Sequence, residues 1–212
     1  MTRLLLATTN PGKQREFGRL LAGLAGSVVV PQQLGLELAV PEPHDTYAQN
    51  AAAKAIAYCR MSGLPTLADD SGIEVEALGW GPGVRSARFG GADLPDRAAH
   101  LLDQLDGITE RRARMVCWLA LALPGTGPDG TPRAPRIELF SGLVEGTIAA
   151  ERRGTGGFGY DPIFVLPSGL TTAELPEDEK DRISHRGMAV AAALPRLHLI
   201  LGAPDAEGHG AS

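Results

Sequence analysis

The chain is 212 residues long, 43% of them hydrophobic and 21% charged, which is ordinary for a globular protein and suits one large domain or two lobes sharing a core. A net charge of −5 excludes a general surface for polymeric nucleic acid or an anionic membrane, which would need a basic face, and leaves room for a local basic pocket. No apolar run approaches the roughly 18 residues of a membrane span; Cys59 and Cys117, far apart in apolar surroundings, read as buried free thiols, so a reducing, cytoplasmic compartment is expected.

Taken in chain order, residues 3–8 (RLLLAT) read as a buried strand and TNPG as a turn. KQREFGRLLAGL then repeats Phe17, Leu20, Leu21 and Leu24 at helical spacing. Val28–Val30 reads as a second strand. The loop LAVPEPHD leads into an Ala-rich helix over about 46–61, with Asp45 or Thr46 as its cap and Gly63 and Pro65 at its end. LPTLA and GIEVEAL are strand-like runs on either side of Asp69, Asp70 and a Ser-Gly turn. After the Gly-rich loop GWGPGVRSARFGG, a helix is predicted over 95–105, opening on Pro95. ARMVCWLALAL reads as a long buried strand, 124–136 as an exposed excursion, and RIELFSGLVEGTI as the antiparallel partner. GTGGFGYDP is a second Gly-rich loop, IFVLP a short strand, and ELPEDEKDRI a short helix with acids in its first turn. Ser184 is placed to cap a last helix over about 185–201, with Pro195 inside it, and residues 203–212 read as a mobile tail. Strands and helices interleave around one long antiparallel pair. The expected class is α/β, with a mixed twisted sheet and flanking helices.

Five stretches can carry chemistry. In ATTNPGK a turn opens a helix, where free N–H groups and the dipole favour a phosphate; Lys13 adds a full charge, and Thr8, Thr9 and Asn10 add donors. The glycine spacing of a Walker A loop is absent, so a plain strand-to-helix turn stays open here. Asn50 and Lys54, four apart in NAAAKA, share a helix face, and a lysine on an Ala-rich buried helix requires an anionic partner. The adjacent acids Asp69 and Asp70 suit a divalent cation, or simply a capped turn. GTGGFGYDP contains G-x-G-x-x-G at Gly154, Gly156 and Gly159, but it leads into Asp-Pro and a strand, which argues against dinucleotide binding. Phe158 and Tyr160, set among glycines, offer a stacking surface for a flat base. Finally, Lys180, His185 and Arg186 cluster around a Ser cap and suit an anion or a carbonyl.

In this order and spacing, ATTNPGK, NAAAKA, ADDSGIEVEALGWGPGVRSARFGG, GTGGFGYDPIF and AELPEDEKDRISHRG resemble the inosine triphosphate pyrophosphatase family, over essentially the whole chain from Leu4 to about Leu201. Members hydrolyse deaminated purine nucleoside triphosphates to the monophosphate and pyrophosphate. The resemblance implies one catalytic domain over 1–202 with two lobes around a central cleft, Mg²⁺ dependence and a homodimer. It implies that Thr8, Thr9, Asn10, Pro11, Gly12 and Lys13 hold the triphosphate, with Lys54 adding charge. Glu42 and Asp70 become the metal-linked acids and Asp70 the proton acceptor. Ser71, Phe158, Gly159, Tyr160, Asp161, Lys180, His185 and Arg186 become substrate contacts. Thr9, Gln49 and Asp181 depart from the usual pattern without removing any of these groups.

The reading that follows is attack of water on the α-phosphorus, with Asp69 turned to the other side of the chain as a brace. The expected substrates are ITP, dITP and XTP, told from adenine nucleotides by donors facing the C6 carbonyl. The alternatives are a pyrophosphatase for pyrimidine or modified nucleoside triphosphates and a non-catalytic nucleotide sensor.

Overall fold

A computed structural model describes residues 2–91 and 96–202. β1 (Arg3–Leu6) buries Leu4, Leu5 and Leu6 and pairs in parallel with both β2 (Ser27–Val29) and β3 (Thr66–Val75). The two crossovers are α1 (Pro11–Leu20) and α2 (Tyr47–Ser62). Each starts where the sequence supplies a cap: the Asn10 side chain accepts from the Lys13 N–H, and that of Thr46 from Gln49. Gly63 ends α2 in the left-handed conformation, at φ 69°.

After β3 come the two-residue β4 (Gly81–Pro82), a 3-10 segment over Gly83–Arg88, and α3 (Arg97–Gln104), capped by Asp96. The long hairpin of β5 (Arg112–Thr126) and β6 (Pro132–Ile148) follows, then β7 (Phe164–Val165), α4 (Glu177–Ile183) and α5 (His185–Leu201). The sheet runs β2-β1-β3-β5-β6-β7, with β4 on β3; its β2-β1-β3 side is parallel and the rest antiparallel. That is the mixed sheet with flanking helices expected from the chain order.

Four expectations need correction. The acids Asp69 and Asp70 do not mark a strand end. β3 runs through them without interruption, in register with β5 from Thr66↔Ala122 to Val75↔Ala113. Gly72 serves packing here rather than a turn: a Cβ there would meet Ser86 Oγ at 2.5 Å, Tyr47 Oη at 2.8 Å and the carbonyl of Gly83. The hairpin extends through most of the predicted 124–136 excursion, leaving only residues 127–131 between strands. The loop GWGPGVRSARFGG contains β4 and the 3-10 segment. The third helix starts at Arg97; Pro95 and the predicted tail 203–212 lie outside the described residues.

Three apolar clusters pack the sheet. On one face Leu4, Leu6, Leu67, Leu119 and Leu121 meet Phe17 of α1, Leu21 at its C-cap, and Val190 and Leu197 of α5. On the other face Ala7, Ala68, Ala120 and Ala122 meet Ala51 and Ala55 of α2, small residues that let the helix lie close. Beyond the acid pair, Ile73, Val75, Met115 and Phe164 pack with Leu101 of α3. Each fully buried leucine contributes about 1.5–3 kcal/mol, so Leu119→Ala, at a side chain with no solvent exposure, is the kind of single change this core tolerates least. Cys59 and Cys117 are free and buried, as expected. Among the described residues no helix is long and apolar enough to cross a membrane.

Candidate active site

Residues of the second and third clusters, among them Ala7, Tyr58, Ile73 and Met115, line a cavity of about 750 Å³. Its wall includes Thr8, Thr9, Asn10, Lys13, Glu42, Lys54, Asp70, Ser71, Phe158, Gly159, Tyr160, Asp161, His185 and Arg186. Thirteen residues singled out in five separate stretches of sequence, and Glu42 from the loop before α2, therefore converge on one space. Pro11, Gly12 and Lys180 are not on the wall. The first two form the opening turn of α1, and Lys180 lies behind the wall, buried.

Strand geometry sends the two acids to opposite faces. Asp69 faces α1 and α5. Lys13 Nζ lies 2.7 Å from its Oδ2, the Ser71 hydroxyl donates to the same oxygen at 3.0 Å, and Arg186 Nε stands 3.9 Å away. Burial pushes the Asp69 carboxyl up, but Lys13, Arg186 and Lys54 more than reverse that and hold it at about 2. Asp69 is thus a fixed anion that positions cations.

Asp70 faces α2. It accepts from Asn50 Nδ2 at 3.0 Å and from the Ser71 N–H at 3.0 Å. Burial raises its pKa, Asn50 opposes, and the nearby charge of Glu42 raises it further, to about 6. Lys54 donates to the Asp69 carbonyl at 3.0 Å and pairs with Glu42, while Arg88 Nη2 donates to the Glu42 carbonyl at 3.1 Å. Burial lowers the Lys54 pKa, and Asp69 and Glu42 overcome it, so the ammonium stays charged.

At the other end, Phe158 covers the start of α1. A Cβ on Gly12 would stand 2.7 Å from the Phe158 ring. The guanidinium of Arg186 lies 4.9 Å from the centre of that ring and the Lys180 ammonium 5.5 Å. Arg186 donates to Glu16 Oε2 and to Ser71 Oγ, each at 3.0 Å. His185 is buried, and burial, Arg186 and Lys180 hold its pKa well below the usual histidine range, so the ring is neutral. The Tyr160 hydroxyl donates to the Ser86 carbonyl at 2.9 Å, tying the second Gly-rich loop to the 3-10 segment. Asp161 holds that loop in shape: it accepts from the Phe158 N–H at 2.6 Å, Lys180 Nζ at 2.7 Å and the Thr172 hydroxyl at 2.9 Å.

Several residues at this site were not singled out from the sequence. Glu16 is 98% buried, with only 2% exposure, and anchors Arg186; a carboxylate next to Phe17 on the inner side of α1 was the available signal. Asn50 was noted for its spacing with Lys54 and not for Asp70. Asp96, Arg97 and Arg152 also line the cavity, and Arg152 is paired with Asp96 at 2.5 and 3.1 Å.

The donor set suits a hard divalent cation. Glu42 and Asp70 present carboxylate oxygens from separate segments, and among the described residues no ammonium or guanidinium is bonded to the Asp70 carboxylate. Among the described residues there is no group of three or more His, Cys, Asp or Glu able to hold a metal by itself. Two carboxylates with phosphate oxygens completing the shell is a usual arrangement for Mg²⁺.

Comparison with known proteins shows the family. The model of the Ham1 family matches residues 4–196. A dITP/XTP pyrophosphatase of Symbiobacterium thermophilum is 47% identical over 204 residues, covering 94% of this chain and 96% of the relative. One from Chromobacterium violaceum is 46% identical over 198 residues, covering 92% and 96%. The solved Ham1 protein of Staphylococcus aureus superposes with a TM-score of 0.77 at 34% identity, covering 94% of this chain and all of that one. The structure described as a nucleoside-triphosphatase / dITP/XTP pyrophosphatase from Mycobacterium abscessus gives 0.65 at 40% identity, over 92% of this chain.

Proposed function

The chain belongs to the Ham1 family, and from that membership we propose that it hydrolyses the deaminated purine nucleoside triphosphates ITP, dITP and XTP to the monophosphate and pyrophosphate, with Mg²⁺ as cofactor. The observation that carries this reading is the single cavity shared by Lys13, the Glu42–Lys54 pair, Asp70, Phe158 and Arg186. It joins a phosphate grip, a water-activating acid and a base-reading end.

In the proposed reaction the opening turn of α1 and Lys13 bind the triphosphate. Lys13 reaches it from its perch on Asp69, and Lys54 does so from its perch on Glu42 and the Asp69 carbonyl. Glu42 and Asp70 would hold the ion, which when bound offsets the negative charge of the phosphates. Asp70, held by Asn50, orients the attacking water and accepts its proton. With no cation bound this carboxyl sits at about 6 and is ionised at neutral pH; beside a bound cation an aspartate is a weaker base, so orienting the water matters more than taking its proton. Positioning and charge stabilisation supply the rest of the acceleration.

Base choice follows from donor polarity. Arg186 and the first-turn N–H groups of α5 meet the C6 carbonyl of hypoxanthine or xanthine, while Lys180, behind the wall, holds Asp161 and through it the loop of Phe158; adenine offers an amino group at C6 and leaves those donors unpaired. A site built this way discriminates by factors on the order of 10⁴. The working assembly we propose is the homodimer that the family resemblance implies, tested by sedimentation. The reaction is tested by pyrophosphate release across the common and deaminated triphosphates, with and without a chelator. Release from ITP, dITP and XTP, abolished by chelation and at least about 100-fold slower from ATP, is the expected result. Equal release from ATP, or none from any deaminated substrate, overturns the reading.

A further inference from the structure

Asn50 is a buried amide, 1% exposed, whose hydrogen-bonding capacity points inward rather than into the cavity. Its Oδ1 accepts from the His44 N–H at 3.1 Å, and its Nδ2 donates to the His44 carbonyl at 3.1 Å. One side chain thus clasps both polar groups of a single residue in the loop that carries Glu42. The second Nδ2 hydrogen goes to Asp70 Oδ2 at 3.0 Å. An ionised carboxylate only accepts, and the His44 N–H only donates, so the amide fits in one orientation. Three bonds from a rigid helical position therefore fix the loop two residues after Glu42 and the carboxylate of Asp70 together.

We infer that Asn50 is a positioning residue that sets Glu42 and Asp70 as a preformed pair for a divalent cation. The inference rests on the reaction proposed above for the role of those acids. It goes beyond that reading in assigning their mutual placement to Asn50. The alternatives for holding the pair are weaker. Lys54 ties Glu42 to the Asp69 carbonyl without touching the Asp70 carboxylate, and the Ser71 N–H bonds Asp70 alone, whereas Asn50 joins the Glu42 loop to the Asp70 carboxylate itself. Partners that orient a metal's ligands in this way change metal affinity or rate by about 10- to 100-fold when removed.

The test uses the full chain with Asn50→Leu, close in volume and without polar atoms, and Asn50→Ala. His44 is exposed, so water can satisfy its freed N–H and carbonyl and the fold survives; thermal melting verifies this. Binding of Mn²⁺ is followed by electron paramagnetic resonance in the presence of an inosine triphosphate analogue with an imido bridge between the α and β phosphates. Steady-state kinetics with ITP and Mg²⁺ are measured alongside. Expected is a fall in Mn²⁺ affinity and in kcat of at least tenfold, with KM for ITP within about threefold of wild type, since Asn50 does not line the phosphate or base ends. Mn²⁺ affinity within threefold of wild type in either variant overturns the inference, as does a loss expressed mainly in KM. If wild-type protein releases no pyrophosphate from deaminated substrates, the proposed reaction falls, and the Mn²⁺ comparison still decides the role of Asn50.

Discussion

Asp69 and Asp70 are consecutive in the chain and belong to opposite faces of the sheet, one 2.7 Å from Lys13 Nζ and the other 3.0 Å from Asn50 Nδ2. Their environments push their acidities apart, to about 2 and about 6. The first is a permanent anion that holds cations in place; the second changes charge close to the pH at which it would act. Separate roles for two carboxylates set by environment alone are a recurring device in hydrolases.

Replacing Asp70 with Asn separates activity from stability. Because folding raises this pKa from 3.8 to about 6, the folded protein keeps a proton that the unfolded chain has already lost in that window. Stability therefore falls as pH rises through that window and stays lower above it. Asp70→Asn removes the loss. It should stabilise the metal-free protein at pH 7 by up to about 3 kcal/mol, several degrees in melting temperature, with little gain below the unfolded-state value. Turnover should drop by about 10²–10⁴-fold. Melting curves against pH, compared with wild type, measure the first effect and pyrophosphate release the second.

His185 titrates in the opposite sense. Folding holds its pKa well below 6.5, so the unfolded chain takes up a proton that the folded protein refuses. Its contribution is fully present above 6.5 and is lost as pH falls toward the folded value. His185→Gln should flatten the acid side of the stability profile in the Asp70→Asn background, where the carboxyl no longer contributes; urea titrations at stepped pH read this out.

Lys13→Ala should cost stability as well as activity. It strips the closest cation from a carboxylate whose side chain has no solvent exposure. Breaking such a pair costs about 3–5 kcal/mol, here near the low end because Arg186 Nε remains 3.9 Å away. The double variant Lys13→Ala/Asp69→Asn should be more stable than Lys13→Ala alone. A coupling energy of at least about 1 kcal/mol from urea unfolding is expected.

Gly12→Ala should act through Phe158. The added methyl would stand 2.7 Å from the ring, so the ring must move, at about 1–3 kcal/mol. We expect KM for ITP to rise about tenfold or more. Adding Phe158→Ala should restore melting temperature and leave KM high.

Much of this architecture was legible in the sequence, for local reasons. Thr46, Gly63 and Ser184 begin or end helices as read, and Asn10, read only as a donor in a turn, caps α1 as well. The apolar runs of β1 and β5 are long enough to specify buried strands. The acid pair misled because Asp, Ser and Gly are also turn formers; ten consecutive pairs with β5 overrode that local preference. The convergence of cavity residues was visible only as a resemblance across five stretches, since no single spacing brings residues 8, 42, 70, 158 and 186 together. The sequence does not single out Glu16, nor does it show that Asp161, read as a substrate contact, braces its own loop. Their partners, Arg186 and Lys180, are distant in sequence, and a buried ion pair leaves no periodic trace.

The ion pair between Glu16 and Arg186 ties α1, whose opening turn is proposed to bind phosphate, to α5, proposed to read the base. On that proposal an intact triphosphate would engage both of the tied helices at once. Cleavage divides that ligand into two fragments, each able to brace only its own side. Affinity that depended on simultaneous engagement lapses with the bond, and departure of both products is favoured by the same linkage that admitted the substrate.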